Sequence, residues 1–154
     1  MLHQLLPLRI DNAYRGHRLA LWLFAVLVLM KGGIALGTIF NGRSAAMSAD
    51  GIPLDTFTPA GEQAFVSLLA AWGLSQLVLN LMGLLVVVRY RAMVPFMFAL
   101  LLVEHLGRRL IFWVLPIART EMSPGFFVNL LFVAVMIVGL FLSLPSRNDH
   151  RPQE

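Results

Sequence analysis

The chain alternates four long apolar stretches with short polar ones. The apolar stretches are LALWLFAVLVLMKGGIALGTIF at 19–40, QAFVSLLAAWGLSQLVLNLMGLLVVV at 63–88, AMVPFMFALLLVEHLGRRLIFWVLP at 92–116 and GFFVNLLFVAVMIVGLFLS at 125–143, the last reaching Leu144. Each exceeds or approaches the roughly 20 residues that a helix needs to cross the hydrocarbon core of a bilayer. Backbone groups in lipid must be satisfied within the segment, and nothing alternates with a period of two, so the stretches predict helices and not barrel strands. The expected fold class is an all-α membrane protein, a four-transmembrane-helix antiparallel bundle over 19–145 with helices at 19–40, 63–88, 92–116 and 125–144. A cytoplasmic basic leader (1–18), an outer loop (41–62) and a cytoplasmic tail (146–154) complete the organisation.

The helix ends carry their own punctuation. Thr58-Pro59 and Ser123-Pro124 place a hydroxyl at an N-cap and a proline at the first helical position. Glu62 stands in the first turn of the second helix, near its positive end. Pro95 lies in the first turn of the third helix, where a missing N–H costs little, and Pro116 and Pro145 end the third and fourth. The segment 41–62 contains NGRSAAMSADGIP, which predicts turns and loop.

A few polar positions break the apolar pattern, and their depth and face can be read. Lys31 falls near the middle of the first helix, Gln76 and Asn80 in the middle and inner half of the second, and Glu104 at the middle of the third. His105, Arg108 and Arg109 follow toward the outer side. At 100° per residue, Glu104, His105, Arg108 and Arg109 share an arc of about 140°. Gly73, Gln76, Asn80 and Gly83 line one face of the second helix, the small and polar pattern of a helix–helix contact. A charged residue at the centre of a membrane helix costs roughly 2.5–3.5 kcal/mol on insertion scales, so these groups must face inward and find partners. Lys31 and Glu104, at similar depth, are expected to pair. Arg108, four residues on, can reach the same carboxylate.

Counting Lys31, Arg108 and Arg109 against Glu104 leaves about two surplus positive charges in the outer half of the bundle. Arginine suits planar acceptors and histidine a proton near neutral pH. Lys31, Gln76, Asn80, Glu104, His105, Arg108 and Arg109 are therefore the candidate ligand-binding residues. The same residues also admit structural roles: an ion pair that sets helix register, arginines reaching outward to head groups, and amides that hold helices together.

Composition sharpens the class. The chain is 58% hydrophobic and 13% charged, against about 45–50% and about 25% in soluble domains. The net charge of +4 would suggest nucleic acid in a soluble protein. Here the basic residues sit at helix ends, where bilayer orientation explains them and no nucleic acid is called for. Arg9, Arg15, Arg18, Arg89, Arg91, Arg147 and Arg151 all fall on one side. Arg43 and Arg119 face Asp50, Asp55 and Glu121 on the other. Both termini are thus expected to be cytoplasmic, in a bacterial inner membrane. The first apolar run is too long for a signal peptide's core and is expected to stay as a helix. Without cysteine there is no disulfide, thiolate ligand or cysteine nucleophile. His105 has no second histidine at matching depth, so neither metal nor haem is expected. No hydrolase elbow, P-loop, dinucleotide fingerprint or HExxH motif occurs.

Two stretches, Arg18 through LVLMKGGIALG and LSQLVLNLMGLLVVVRYRAMVPFMFALLL, together resemble the DoxX-like four-helix membrane proteins. That family usually carries an acidic residue and a glycine in its second helix; Gln76 and Asn80 occupy comparable places here. The resemblance implies a compact four-helix bundle, and some members are linked to quinone or sulfur redox systems. The expected function is a small membrane protein whose outward-facing, positively charged polar cavity binds a quinone-like, lipid or small anionic ligand. The alternative is a non-catalytic accessory subunit or assembly factor, with the charged stripe turned to a partner in a homo-oligomer or larger membrane complex.

Overall fold

A computed structural model describes Asn12, Tyr14, residues 16–119 and residues 124–144. The described residues are all-helical, without strand. The long helices are α1 (Arg18–Phe40), α2 (Pro59–Arg89), α3 (Val94–Val114) and α4 (Pro124–Ser143). Most of the basic leader, the Ser123 cap, Glu121 and the tail 146–154 lie outside the described residues.

α1, α2 and α4 are long and apolar enough to cross a membrane. α3 is 21 residues long and is set apart by three charges, Glu104, Arg108 and Arg109.

The helix starts follow local chemistry. The Thr58 hydroxyl accepts a hydrogen bond from the Gly61 N–H at 3.2 Å, with Pro59 at the first position and Glu62 in the first turn. α2 thus begins four residues before the apolar run. α1 is capped by the His17 ring, whose Nδ1 accepts from the Leu19 N–H at 3.2 Å. α3 is preceded by a 3-10 turn at Arg91–Met93. It stops at Val114, because Leu115 precedes proline and is pushed out of helical geometry.

α1 packs closely on α2 and also on α4, α4 packs on α3, and α2 meets α3 only sparsely. The α1–α2 seam is built on glycine. A Cβ on Gly73 would lie 3.1 Å from Ile39 Cγ1 and 3.2 Å from the Ala35 carbonyl. A Cβ on Gly83 would lie 2.9 Å from Val28 Cγ2. The register descends α1 as it climbs α2, so the pair is antiparallel.

The buried face of α2 is Gly73, Gln76, Asn80, Gly83 and Val86. Many of its leucines and valines turn outward: Leu68, Leu74, Val78, Leu81 and Val88 are all more than half exposed. Small and polar inside with apolar outside reverses the pattern of a soluble helix and suits a hydrocarbon surround.

The main core sits at the opposite end of the bundle from the 41–58 segment. It joins Phe24, Leu27 and Val28 of α1 to Met97, Phe98 and Leu101 of α3 and to Phe132 and Met136 of α4. Phe98 meets Phe24 edge to face at 4.9 Å and lies against Gly139.

The segment after α1 differs from the loop expected for 41–62. It folds as a helical turn (Gly42–Ser44), a π-helical turn (Ala45–Ala49) and a 3-10 turn (Leu54–Thr56), and residues 59–62 belong to α2. Gly51, with φ of 66°, makes the reversal. Ala46, Ile52 and Leu54 form a small core against Phe65, Val66, Leu69 and Ile117. On the surface of this cap, Arg43 joins Glu62 through Nε and Asp55 at 3.1 Å through NH2. Three buried apolar side chains within nine residues, packed on α2 and Ile117, shape what turn chemistry alone marked as a loop.

Replacing Gly139 by alanine forces the buried Phe98 ring out of its place and should lower stability by about 1–3 kcal/mol. Gly37→Ala meets nothing within 4 Å and should be neutral or slightly stabilising. Thermal unfolding of the two variants in detergent checks the contrast.

Candidate functional site

Each side chain of the site is placed by a helical repeat. Lys31 lies on the buried stripe of α1, one turn beyond Leu27 and Val28. Gln76 and Asn80, one turn apart, lie between Gly73 and Gly83 on the face of α2 that meets α1. On α3 the buried stripe Val94, Met97, Phe98, Leu101 ends at His105, with Glu104 and Arg108 beside it.

Glu104 is the common partner. Its Oε1 accepts a hydrogen bond from Gln76 Nε2 at 2.8 Å and lies 3.4 Å from Arg108 NH1. Its Oε2 lies 3.7 Å from Lys31 Nζ. The Lys31–Glu104 pairing expected from depth is thus present, as an ionic contact longer than a hydrogen bond. Asn80 Nδ2 donates to the Gln76 backbone carbonyl at 2.6 Å.

Arg108 NH2 lies 2.9 Å from His105 Nδ1. A guanidinium only donates, so Nδ1 accepts and the ring's proton sits on Nε2. The same guanidinium stacks 4.8 Å over the Trp72 ring, and Lys31 Nζ stands 5.9 Å from the centre of the Phe132 ring. Both cations therefore have an aromatic face as well as a carboxylate.

Six of the seven expected residues come together: Lys31, Gln76, Asn80, Glu104, His105 and Arg108. Lys31, Gln76, Asn80 and His105 are 6%, 7%, 3% and 2% exposed, while the side chains of Glu104 and Arg108 are about one fifth exposed. Arg109 does not join them. It is exposed and lies 5.3 Å over Phe126 at the start of α4.

Asp50 was not among the expected site residues. It follows the π-helical turn and sits beside Gly125 in the first turn of α4, with Ala49. Burial pushes its carboxyl above the usual value, and the positive charges of Arg119 and Arg108 pull it back down. With Arg109 outside, the surplus counted along the sequence falls from about two positive charges to about one, because Lys31 and Arg108 share the Glu104 carboxylate. Asp50 stays in the cap, in the field of Arg119 first and of Arg108 second.

Trp72 was not among the expected site residues either. Its signal was available, because it precedes Gln76 by one helical turn and so shares its face. Asp50 had no such signal, since its position depends on the folded cap. Among the described residues no three histidine, aspartate or glutamate side chains stand close enough to hold a metal ion.

Within the site, three buried acceptor atoms have no hydrogen-bond partner among the described residues: Gln76 Oε1, Asn80 Oδ1 and Glu104 Oε2. Gln76 and Asn80 lie on the buried face of α2, Gln76 reaches Glu104 of α3, and Glu104 Oε2 faces Lys31 of α1. Such atoms are uncommon in native interiors and call for an explanation.

Compared with protein-family models, with characterised proteins and with solved structures, the chain matches none. The DoxX-like resemblance therefore rests on the residues quoted above alone.

Two outcomes follow from this geometry. Glu104→Leu strands Lys31 and Arg108 and should cost about 3 kcal/mol, while adding Lys31→Met should recover part of that loss. Thermal unfolding of the single and double variants measures the coupling. Asp50 has a folded-state pKa above its unfolded one, so its contribution to stability is full below the ordinary carboxylate range and is lost as pH rises through the raised value. Asp50→Asn should therefore become more stable relative to the parent protein as pH increases from about 4. A constant difference in unfolding temperature across that range would contradict the assignment.

Proposed function

We propose that the chain is an integral membrane protein whose four helices all span the bilayer as an antiparallel bundle and whose centre binds a small ligand. Both termini face the cytoplasm of a bacterial cell, and the folded cap at 41–58 lies on the outer side. The inside-out face of α2 and the three apolar helices support the membrane placement. The short basic link Arg89–Arg91 supports the orientation. α3 can join the other three as a span because Glu104 and Arg108 are turned toward partners and Arg109 lies near a helix end, where its long stem can carry the charge outward.

The observation that carries ligand binding is the convergence of Lys31, Gln76, Glu104, His105 and Arg108 from three helices onto one point, each mostly or fully buried. A single ion pair would hold helix register. It would not need two further polar groups on α2 and a histidine besides. Of the three ligand classes expected, we favour a neutral quinone-like molecule over an anion, because Lys31 and Arg108 already share the Glu104 carboxylate and each has an aromatic ring beside it. The Trp72 and Phe132 rings, beside Arg108 and Lys31, supply surface for an aromatic head group. The DoxX-like resemblance points the same way, through the quinone-linked members of that family.

Native mass spectrometry after mild release from the membrane tests this reading. A reproducible small-molecule adduct is expected on the parent protein and on Arg109→Gln, and it should be lost from Arg108→Gln although that variant still inserts. A stoichiometric heteromer without adduct would overturn ligand binding in favour of an accessory subunit.

A further inference from the structure

The head group that the site can take is set by the hydrogen-bonding atoms its side chains have left over. The amide orientations are determined by their partners. The Gln76 atom on the Glu104 carboxylate must be nitrogen, because a carboxylate only accepts. The Asn80 atom on the Gln76 carbonyl must be nitrogen for the same reason. Gln76 Oε1 and Asn80 Oδ1 are therefore oxygens that no flip removes. Both residues are more than nine-tenths buried, and neither oxygen has a partner. Glu104 Oε2 is the third, with Lys31 Nζ 3.7 Å away. Three acceptors are thus unanswered, beside one ammonium that makes no full hydrogen bond.

A carbonyl or an anion answers only Lys31, and it adds a further acceptor to three that are already unpaired. A hydroxyl does both jobs at once: its O–H donates to one of the three oxygens, and its lone pairs accept from Lys31. Two hydroxyls leave one acceptor at most.

The approach to these atoms is also uneven. α2 is sealed against α1 by Gly73 and Gly83 but meets α3 sparsely. At the level of the site, α2 and α3 are bridged by side chains, Gln76 to Glu104 and Arg108 over Trp72. Glu104 and Arg108, which make these bridges, are partly exposed, whereas Lys31, Gln76 and Asn80 are buried. Trp72, at 36% exposed, stands at the rim.

We propose that the site selects a neutral, membrane-dissolved molecule whose head group carries two hydroxyls, and that this molecule enters from the lipid between α2 and α3. This rests on the ligand-binding reading above and narrows it. For a ring that can exist in two oxidation states, the dihydroxy form is bound and the dicarbonyl form is discriminated against. The other source of the same chemistry is a lipid with a free glycerol head.

The test uses the full-length protein in nanodiscs of phosphatidylcholine, titrated under argon. The probes are a short-tailed benzoquinol, its benzoquinone and a monoacylglycerol. The quinol should bind at least about tenfold more tightly than the quinone, because each acceptor left unpaired in a buried site weakens binding by about that factor or more. In Asn80→Leu, which removes one of the three acceptors, that ratio should shrink toward one. The comparison on the parent protein stands even if this variant does not fold. Tightest binding of the monoacylglycerol would also support selection by paired hydroxyls and would identify a lipid as their source. Equal affinity for quinol and quinone, or preference for the quinone, overturns the hydroxyl selection and leaves ligand binding intact. No binding of any of the three overturns both.

Discussion

The Glu104 carboxylate holds together groups that cannot be left alone. Lys31 from α1, Gln76 from α2 and Arg108 from its own helix all meet it. In a hydrocarbon surround an unanswered ammonium or guanidinium would disfavour the folded bundle outright. The position of α3 follows from this. It packs on α4 through Phe98 and Gly139 and on α1 through Phe98 and Phe24, and Glu104 ties it to the polar groups of α1 and α2. That side chain is also the most versatile group in the site, since one of its oxygens is fully engaged and the other is not.

The apolar contacts are divided between the two ends of the bundle. At the end near the Arg89–Arg91 link, phenylalanine, leucine and methionine from α1, α3 and α4 make a conventional core. Toward the cap, α2 contributes glycine and amides to the interface. Close helix approach at Gly73 and Gly83 brings the Gln76 and Asn80 side chains to α1 and α3 without a layer of leucine between them. The packing chemistry that makes α2 a good membrane helix is thus what places its amides in the site.

Much of this could be read from the chain. Helix positions followed from apolar length, and the start of α2 from Thr58-Pro59. Depth along the helices predicted the Lys31–Glu104 pair, and the glycine–amide face of α2 predicted its contact surface. Face was harder. Arg108 and Arg109 differ by a single helical step of about 100°, and an arc wide enough to hold both could not say which would turn inward. The charge count was too high for the same reason, because it included Arg109. The cap was missed for a related reason: Ala46, Ile52 and Leu54 follow no helical or strand period, so their burial is visible only once Phe65, Val66 and Ile117 are in place. The orphaned amide oxygens were not legible at all, since a sequence names an amide without saying which of its ends is engaged.

The order of synthesis gives the Lys31–Glu104 contact a further consequence. Lys31 belongs to the first helix made, and its carboxylate lies two helices later. While α1 leaves the ribosome and enters the bilayer, its ammonium has no protein counter-charge among the groups that later surround it. The Lys31–Glu104 contact is therefore a late event of assembly, and the polar centre cannot close before the third long helix has been translated.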